Sequence, residues 1–257
     1  MTDAQPPLAG LTVLVPRARD QASGFSGLLR ARGAEPLEVP TIEIRPVAST
    51  AELDRAVEDL AAGRYDWVVL TSVNGVAAVR ARAEALGHGT TAIARASVAA
   101  VGPATEAALR DWGIIPHLVP GAATTAALGQ AFPTGRGVVL LARADLANPE
   151  LGVLLRDKGW ETTEVVAYHT VPVGALDPAA RRRLDRGEVD WVAFTASSTV
   201  EGFLRGYGGP PPPGVRVAAI GPVTADTARS AGIQVATTAA EHTIGGLVAA
   251  IEHAVTT

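Results

Sequence analysis

The chain contains itself twice. Asp66-Trp67-Val68-Val69-Leu70-Thr71 returns as Asp190-Trp191-Val192-Ala193-Phe194-Thr195, and Val98-Ala99-Ala100-Val101-Gly102-Pro103-Ala104-Thr105 returns as Val217-Ala218-Ala219-Ile220-Gly221-Pro222-Val223-Thr224. A Gly-Ile step follows the second match in both places, at Gly113-Ile114 and Gly232-Ile233. The front keeps step too: Val13-Leu14 with Arg17-Ala18 corresponds to Val139-Leu140 with Arg143-Ala144, Leu28-Leu29-Arg30 to Leu154-Leu155-Arg156, and Glu38-Val39 to Glu164-Val165. The offset falls from 126 to 124 to 119 along the chain, so small deletions separate the copies. Each copy is about 120 residues, an ordinary domain size, and whatever fold one adopts the other must adopt as well.

Within a copy the elements alternate. Leu11 to Val15, Trp67 to Leu70 and Val98 to Val101 are too short and too evenly apolar for amphipathic helices, and they read as strands buried on both faces. Between them, Ala51 to Ala62 and Pro103 to Trp112 read as helices, with Leu53, Val57 and Leu60 at helical spacing in the first. Gly33, Gly63, Gly87 and Gly113 stand where helices should stop. Strand, helix, strand repetition with strands covered on both faces predicts a doubly wound, parallel α/β sheet in each copy. Pro36 to Pro46 and Glu161 to Pro172 are longer and alternate apolar with charged residues, which suits two extended connectors running side by side. Pro210 to Pro213 falls inside the second copy and reads as a stiff surface loop rather than a linker.

Composition removes whole classes of chemistry. The absence of cysteine excludes disulfides and thiolate nucleophiles, and His88, His117, His169, His242 and His253 are scattered without metal-ligand spacing, so no metal site is expected. A single lysine, Lys158, disfavours Schiff-base chemistry, and a net charge of -4 disfavours a nucleic-acid surface. No apolar run approaches the roughly 20 residues of a membrane span. The start, MTDAQPPLAGLTVLVP, lacks the charged and apolar regions of a signal peptide, and a cytoplasmic protein is expected.

In open parallel sheets ligands bind beyond the carboxyl ends of the strands, where helix amino termini also point. Thr71, Ser72, Asn74 and Gly75 close one strand and open a helix there, as do Thr195, Ala196, Ser197 and Ser198 in the second copy. Gly102 with Thr105, and Gly221 with Thr224, do the same with proline in the first helical turn. Any one of these is explained by capping alone, but as a set they offer amides and hydroxyls suited to carboxylates or phosphates. Arg17 and Arg143 follow the first strand of each copy and stand to meet an anion or to form an ordinary surface salt bridge. Tyr168, on the second connector, either donates a proton or only packs. His169 alternates to the opposite face and is expected to be a bystander.

In their order, spacing and duplication these segments resemble the uroporphyrinogen-III synthase family over nearly the whole chain. The resemblance rests on Val15 to Arg17, Asp66-Trp67 through Gly75, Val101 to Thr105, Glu164 to Pro172 with Tyr168, Phe194 to Ser198 and Ile220 to Thr224. Ala196 departs from it, standing where serine is common. The resemblance implies two α/β domains with a cleft between them, joined by a two-stranded ladder and crossed by the chain twice. Residues 1–39 with 172–257 would form one domain and residues 40–171 the other. A sequential split near residue 134 is the competing assignment, and the repeat does not decide between them.

The implied reaction closes hydroxymethylbilane with inversion of ring D and loss of water, and needs no cofactor. The resemblance makes Tyr168 the candidate proton donor and the strand-tip residues the grip on a substrate with eight carboxylates. It also implies a monomer that receives its substrate by transient hand-over from the bilane-forming enzyme. The competing reading is a non-catalytic, two-lobed protein closing on a small anion. A dinucleotide-binding oxidoreductase is disfavoured because no Gly-x-Gly-x-x-Gly follows a first strand.

Overall fold

In the computed structural model, which describes residues 6–256, short strands alternate with helices from end to end. The chain runs through β1 (Thr12–Val15), α1 (Arg19–Ala31), β2 (Glu35–Glu38), β3 (Ile42–Pro46), α2 (Ala51–Ala61), β4 (Trp67–Leu70) and α3 (Val73–Ala85). It continues through β5 (Ser97–Ala100), α4 (Pro103–Asp111), α5 (Thr125–Ala131), β6 (Val138–Ala144), α6 (Glu150–Asp157), β7 (Glu161–Pro172) and α7 (Pro178–Asp185). It ends with β8 (Trp191–Phe194), α8 (Ser197–Tyr207), β9 (Arg216–Ala219), α9 (Pro222–Ser230), β10 (Thr237–Thr238) and α10 (Ile244–Thr256). No described helix is long and apolar enough to cross a membrane.

The strands form two sheets, ordered β10-β9-β8-β1-β2 and β3-β7-β6-β4-β5. Pairing is parallel along the first and from β7 to β5 in the second. By the sequence repeat, β1, β2, β4 and β5 of the first copy correspond to β6, β7, β8 and β9 of the second. Each sheet therefore joins the front of one copy to the rear of the other. Contacts divide the chain accordingly into a first unit, which ends at Glu43 and resumes at Val171, and a second unit, Ile44–Thr170. A cut near residue 134 would part β1 from β8, its hydrogen-bonded neighbour.

The repeated Asp-Trp has a structural cause. Asp190 accepts the Thr12 amide at 2.7 Å, and Asp66 accepts the Val138 amide at 2.8 Å. Each aspartate thereby fixes the register between the two central strands of its sheet, at their amino ends. Successive residues then face opposite layers. In the first unit Val13 and Val15 pack with Phe25 and Leu247 on one side, while Leu14 packs with Leu184 and Phe203 on the other. In the second, Val68 and Leu70 face α2 and α3, and Val69 faces Leu128 and Leu151. Strands covered on both faces need uniformly apolar sequence, which is what the short runs supply. The helix-ending glycines take left-handed backbone, and at Gly159, with φ 93°, a side chain would also stand 2.5 Å from the Gly135 carbonyl.

The stretch from Pro36 to Pro46 is not one connector. It breaks into β2, which pairs with β1, and β3, which neighbours β7 in the other sheet. The break falls at Pro40-Thr41: proline has no amide for a ladder, and the buried Thr41 hydroxyl lies 2.9 Å from the Pro16 carbonyl and 3.2 Å from that of Thr199. The apolar alternation of Leu37 and Val39 accordingly resumes one residue out of step at Ile42 and Ile44. β7 is a continuous strand, and residues 210–213 lie in the loop between α8 and β9.

Candidate active site

In the second unit, β4 delivers the chain to Thr71 and Ser72 at the carboxyl edge. Ser72 is extended, and its hydroxyl caps α3 by accepting the Gly75 amide at 3.0 Å. The same oxygen lies 2.8 Å from the Tyr168 hydroxyl on β7, 96 residues away in sequence. Tyr168 reaches this position because β7 slips by one residue against β6: Arg143 pairs with Val166 but Ala144 with Tyr168. Gly75 is buried, and a Cβ there would lie 3.1 Å from the Ala142 carbonyl, so this helix start sits directly on β6.

Burial pushes the Tyr168 phenol above its ordinary pKa, while hydrogen bonds from the Ser72 and Asn74 side chains pull the other way without cancelling it. The phenol is therefore protonated at neutral pH and faces donors able to stabilise its anion. Behind it, Asp145 lies 2.8 Å from the His169 Nδ1 and accepts the Leu146 and Thr170 amides at 3.1 and 3.2 Å. Burial pushes the Asp145 carboxyl up, but these hydrogen bonds outweigh it and hold the group below the usual carboxylate range. His169 is thus tied to an aspartate rather than idle.

Gly102 starts α4 in extended backbone, and a Cβ there would stand 2.5 Å from that of Ala123. Thr105 lies beneath the first turn of α4 at 3% exposure, so its amide and not its hydroxyl is what this end presents. Arg143 differs from the expectation of a group following its strand. β6 runs on through Ala144, and Arg143 is 4% exposed, paired with Glu164 and donating to the Asn148 carbonyl at 2.8 Å. Both ends of that guanidinium are occupied by protein.

The first unit repeats the edge with different chemistry. Thr195, Ala196, Ser197 and Ser198 are half-buried at the tip of β8. Ala196 has no side-chain acceptor for the start of α8, and the Thr199 hydroxyl substitutes by accepting the Ala196 amide at 3.2 Å and donating to its carbonyl at 2.6 Å. The Ser197 hydroxyl lies 2.7 Å from that of Thr227, tying α8 to α9. Thr224, at 5% exposure, is buried like Thr105. Arg17 is half-buried beyond β1, and its NH2 group donates to Gln21 Oε1 at 3.3 Å.

The repeat extends to a third helix start in each unit that the sequence reading passes over. Thr124 accepts the Ala127 amide to cap α5, and Thr243 accepts the Gly246 amide to cap α10, each at 3.0 Å. These threonines are 119 residues apart, as are Gly102 and Gly221. The preceding residues, Ala123 and His242, are the ones packed against those two glycines. Thr124 with Leu128, against Thr243 with Leu247, carried the signal.

A family profile described as "Uroporphyrinogen-III synthase HemD" matches residues 23–249. The chain belongs to the uroporphyrinogen-III synthase family. A uroporphyrinogen-III synthase from Synechococcus elongatus is 32% identical over 259 residues, covering 97% of both chains. The porphyrin biosynthesis protein HemD of Ruminiclostridium josui is 30% identical over 87% of this chain, which spans only 44% of that longer protein. Among solved structures, a mutant uroporphyrinogen III synthase from the extremely thermophilic bacterium Thermus thermophilus matches with a TM-score of 0.68 and 27% identity, over 96% of this chain and 99% of that one. Uroporphyrinogen-III synthases are cyclising lyases of porphyrin biosynthesis, and this chain is an enzyme of that class.

Proposed function

We propose that this chain closes hydroxymethylbilane to uroporphyrinogen III, with the Tyr168 and Ser72 hydroxyl pair handling the proton that leaves with water. The observation that carries this reading is the 2.8 Å contact between two hydroxyls at a strand tip, one of them a desolvated phenol. Of the two hydrogens only one lies between the oxygens, so the other is available to a ligand. Proton transfer to the terminal hydroxyl of the bilane breaks its C–O bond, releases water and leaves an azafulvene. The substituted carbon of ring D attacks it, the spiro-pyrrolenine fragments, and reclosure inverts that ring. The proton lost on final aromatisation returns to the phenolate, which the Ser72 and Asn74 side chains stabilise meanwhile.

The main task is geometric, because unassisted closure gives the symmetrical type I isomer. Half-buried Thr71, Ser72, Asn74, Thr195, Ala196, Ser197 and Ser198, with the amides at Gly75, Gly102, Thr105, Gly221 and Thr224, supply hydrogen bonds to the substrate carboxylates. The protein works as a cytoplasmic monomer of two domains, taking the labile bilane by transient hand-over from the enzyme that makes it. The deciding experiment generates hydroxymethylbilane in place, adds the protein, oxidises the products and resolves the porphyrin isomers. Type III isomer is expected; type I alone, at the spontaneous rate, overturns the reading.

A further inference from the structure

The two strand-tip edges descend from one sequence, yet their arginines have parted ways. The pairing of Trp67 with Val139 in the second unit, and of Trp191 with Val13 in the first, continues to bring Arg143 level with Thr71 and Arg17 level with Thr195. The two arginines are structural counterparts. Arg143 is sealed by Glu164 and the Asn148 carbonyl. The counterpart of Glu164 is Glu38, which turns instead to Arg30, 4.0 Å away. Arg17 is left with the neutral Gln21 side chain, and among the described residues no carboxylate is within ion-pair distance of it. Desolvation lowers its pKa, as expected for a guanidinium taken partly out of water without a compensating anion. Next along the turn the divergence repeats: Arg19 stands where the second unit has Asp145, the partner of His169. Tyr168 has Ile42 as its counterpart, so the first unit has no phenol at that position.

We propose that the edges have divided the work: Arg17, with the Thr195–Ser198 turn beside it, receives a carboxylate of the tetrapyrrole, while the second unit keeps its arginine for its own framework and handles the proton. This rests on the function proposed above. The buried Thr41 hydroxyl, reaching toward both the Pro16 and Thr199 carbonyls, holds the Arg17 turn against the first turn of α8. A carboxylate there meets a bidentate cation on one side and serine hydroxyls on the other. Half-burial favours the pairing, because the guanidinium has already lost part of its water.

The test compares Arg17→Gln, Arg17→Lys and Arg229→Gln, the last removing an exposed charge paired with Asp226 on α9. With hydroxymethylbilane as substrate, Arg17→Gln should raise KM about tenfold with kcat within about twofold, the loss of one charge-assisted carboxylate contact. The rise of KM with added NaCl should flatten in the same variant. Arg17→Lys should recover part of the affinity, and its KM is the readout if the glutamine variant does not fold. Arg229→Gln should leave KM unchanged. Unchanged KM in both Arg17 variants overturns the inference while wild-type production of type III isomer upholds the enzymatic reading. An equal rise in Arg229→Gln overturns it too, by reducing the effect to net charge. Type I isomer alone from the wild type overturns both.

Discussion

At the scale of single residues, the decisive fact is that two hydroxyls from distant parts of the chain share a hydrogen bond while an arginine two positions from the strand tip does not reach solvent. Tyr168→Phe removes the transferable proton and keeps the ring, so kcat should fall about 100-fold with KM little changed, as for the loss of a general acid, and the product should shift toward type I isomer. Because burial raises the phenol pKa, loss of its proton begins only above its ordinary value of about 10. The wild-type kcat should therefore show no limb from this group between pH ~6 and ~9; a limb in that range that disappears in the phenylalanine variant contradicts the assignment. Glu164→Gln leaves Arg143 charged and buried with a carbonyl as its remaining partner, and its Nε already lacks one. Glu164 is 41% exposed, so water screens the pair, and the loss should be about 1–2 kcal/mol rather than the larger cost of breaking a fully buried pair. A shifted urea midpoint at constant slope would show it. The residue types at these positions were legible in the sequence, including tyrosine on an extended segment and hydroxyls at helix starts. Partner choice was not: Arg17 and Arg143 look alike in the repeat, and only the register that sets Glu164 beside Arg143 separates them.

At the scale of elements, strands and helix stops were legible because their causes are local: uniformly apolar runs and glycines that permit left-handed backbone. Two elements were not. β10 is Thr237–Thr238, too short and polar to leave a periodic signal, and it exists because the chain after α9 returns alongside β9. β2 and β3 look like one strand until the phase slip at Pro40-Thr41 is counted. The third helix start in each unit follows from these returning segments, and it makes a prediction about glycine. In Gly102→Ala the new methyl would meet the Ala123 Cβ at 2.5 Å, with backbone at 3.2 Å behind it. In Gly221→Ala it would meet the His242 ring at 3.1 Å, and that ring has rotamer freedom to move. Gly102→Ala should thus displace the Ala123-Thr124 turn and cost about 1–3 kcal/mol, as overpacking does, while Gly221→Ala should cost less than half as much. Matched thermal and urea denaturation of the two variants measures the difference, and equal losses would mean that the return loops do not bear on the glycines.

At the scale of the whole molecule, the repeat announced two similar units but not which strands each would recruit. Nothing in a strand sequence encodes whether its neighbour lies in the same copy or the other one; that depends on the Asp190 clamp on Thr12, 178 residues away, and on its twin from Asp66 to Val138. The consequence is kinetic. The second unit, Ile44–Thr170, is one continuous stretch, whereas the first needs β1 and β2 from the start of the chain to meet β8, β9 and β10 from its end. Closing so long a loop before any contact rewards it slows folding. The second unit should therefore fold first, during or soon after synthesis, and the first should wait until the chain is complete. Two fragments test this. Residues 40–172 contain every strand of the β3-β7-β6-β4-β5 sheet and should unfold cooperatively in urea. Residues 1–134 contain β1 and β2 without β8, and β4 and β5 without β6, and should show no cooperative transition. Pulse-labelled hydrogen exchange on the intact protein should find Val68, Val69 and Leu140 protected before Val13, Leu14 and Val192. A cooperative 1–134 fragment, or protection of both sheets at one rate, would show that the copies fold in sequence order and that the crossing forms afterwards.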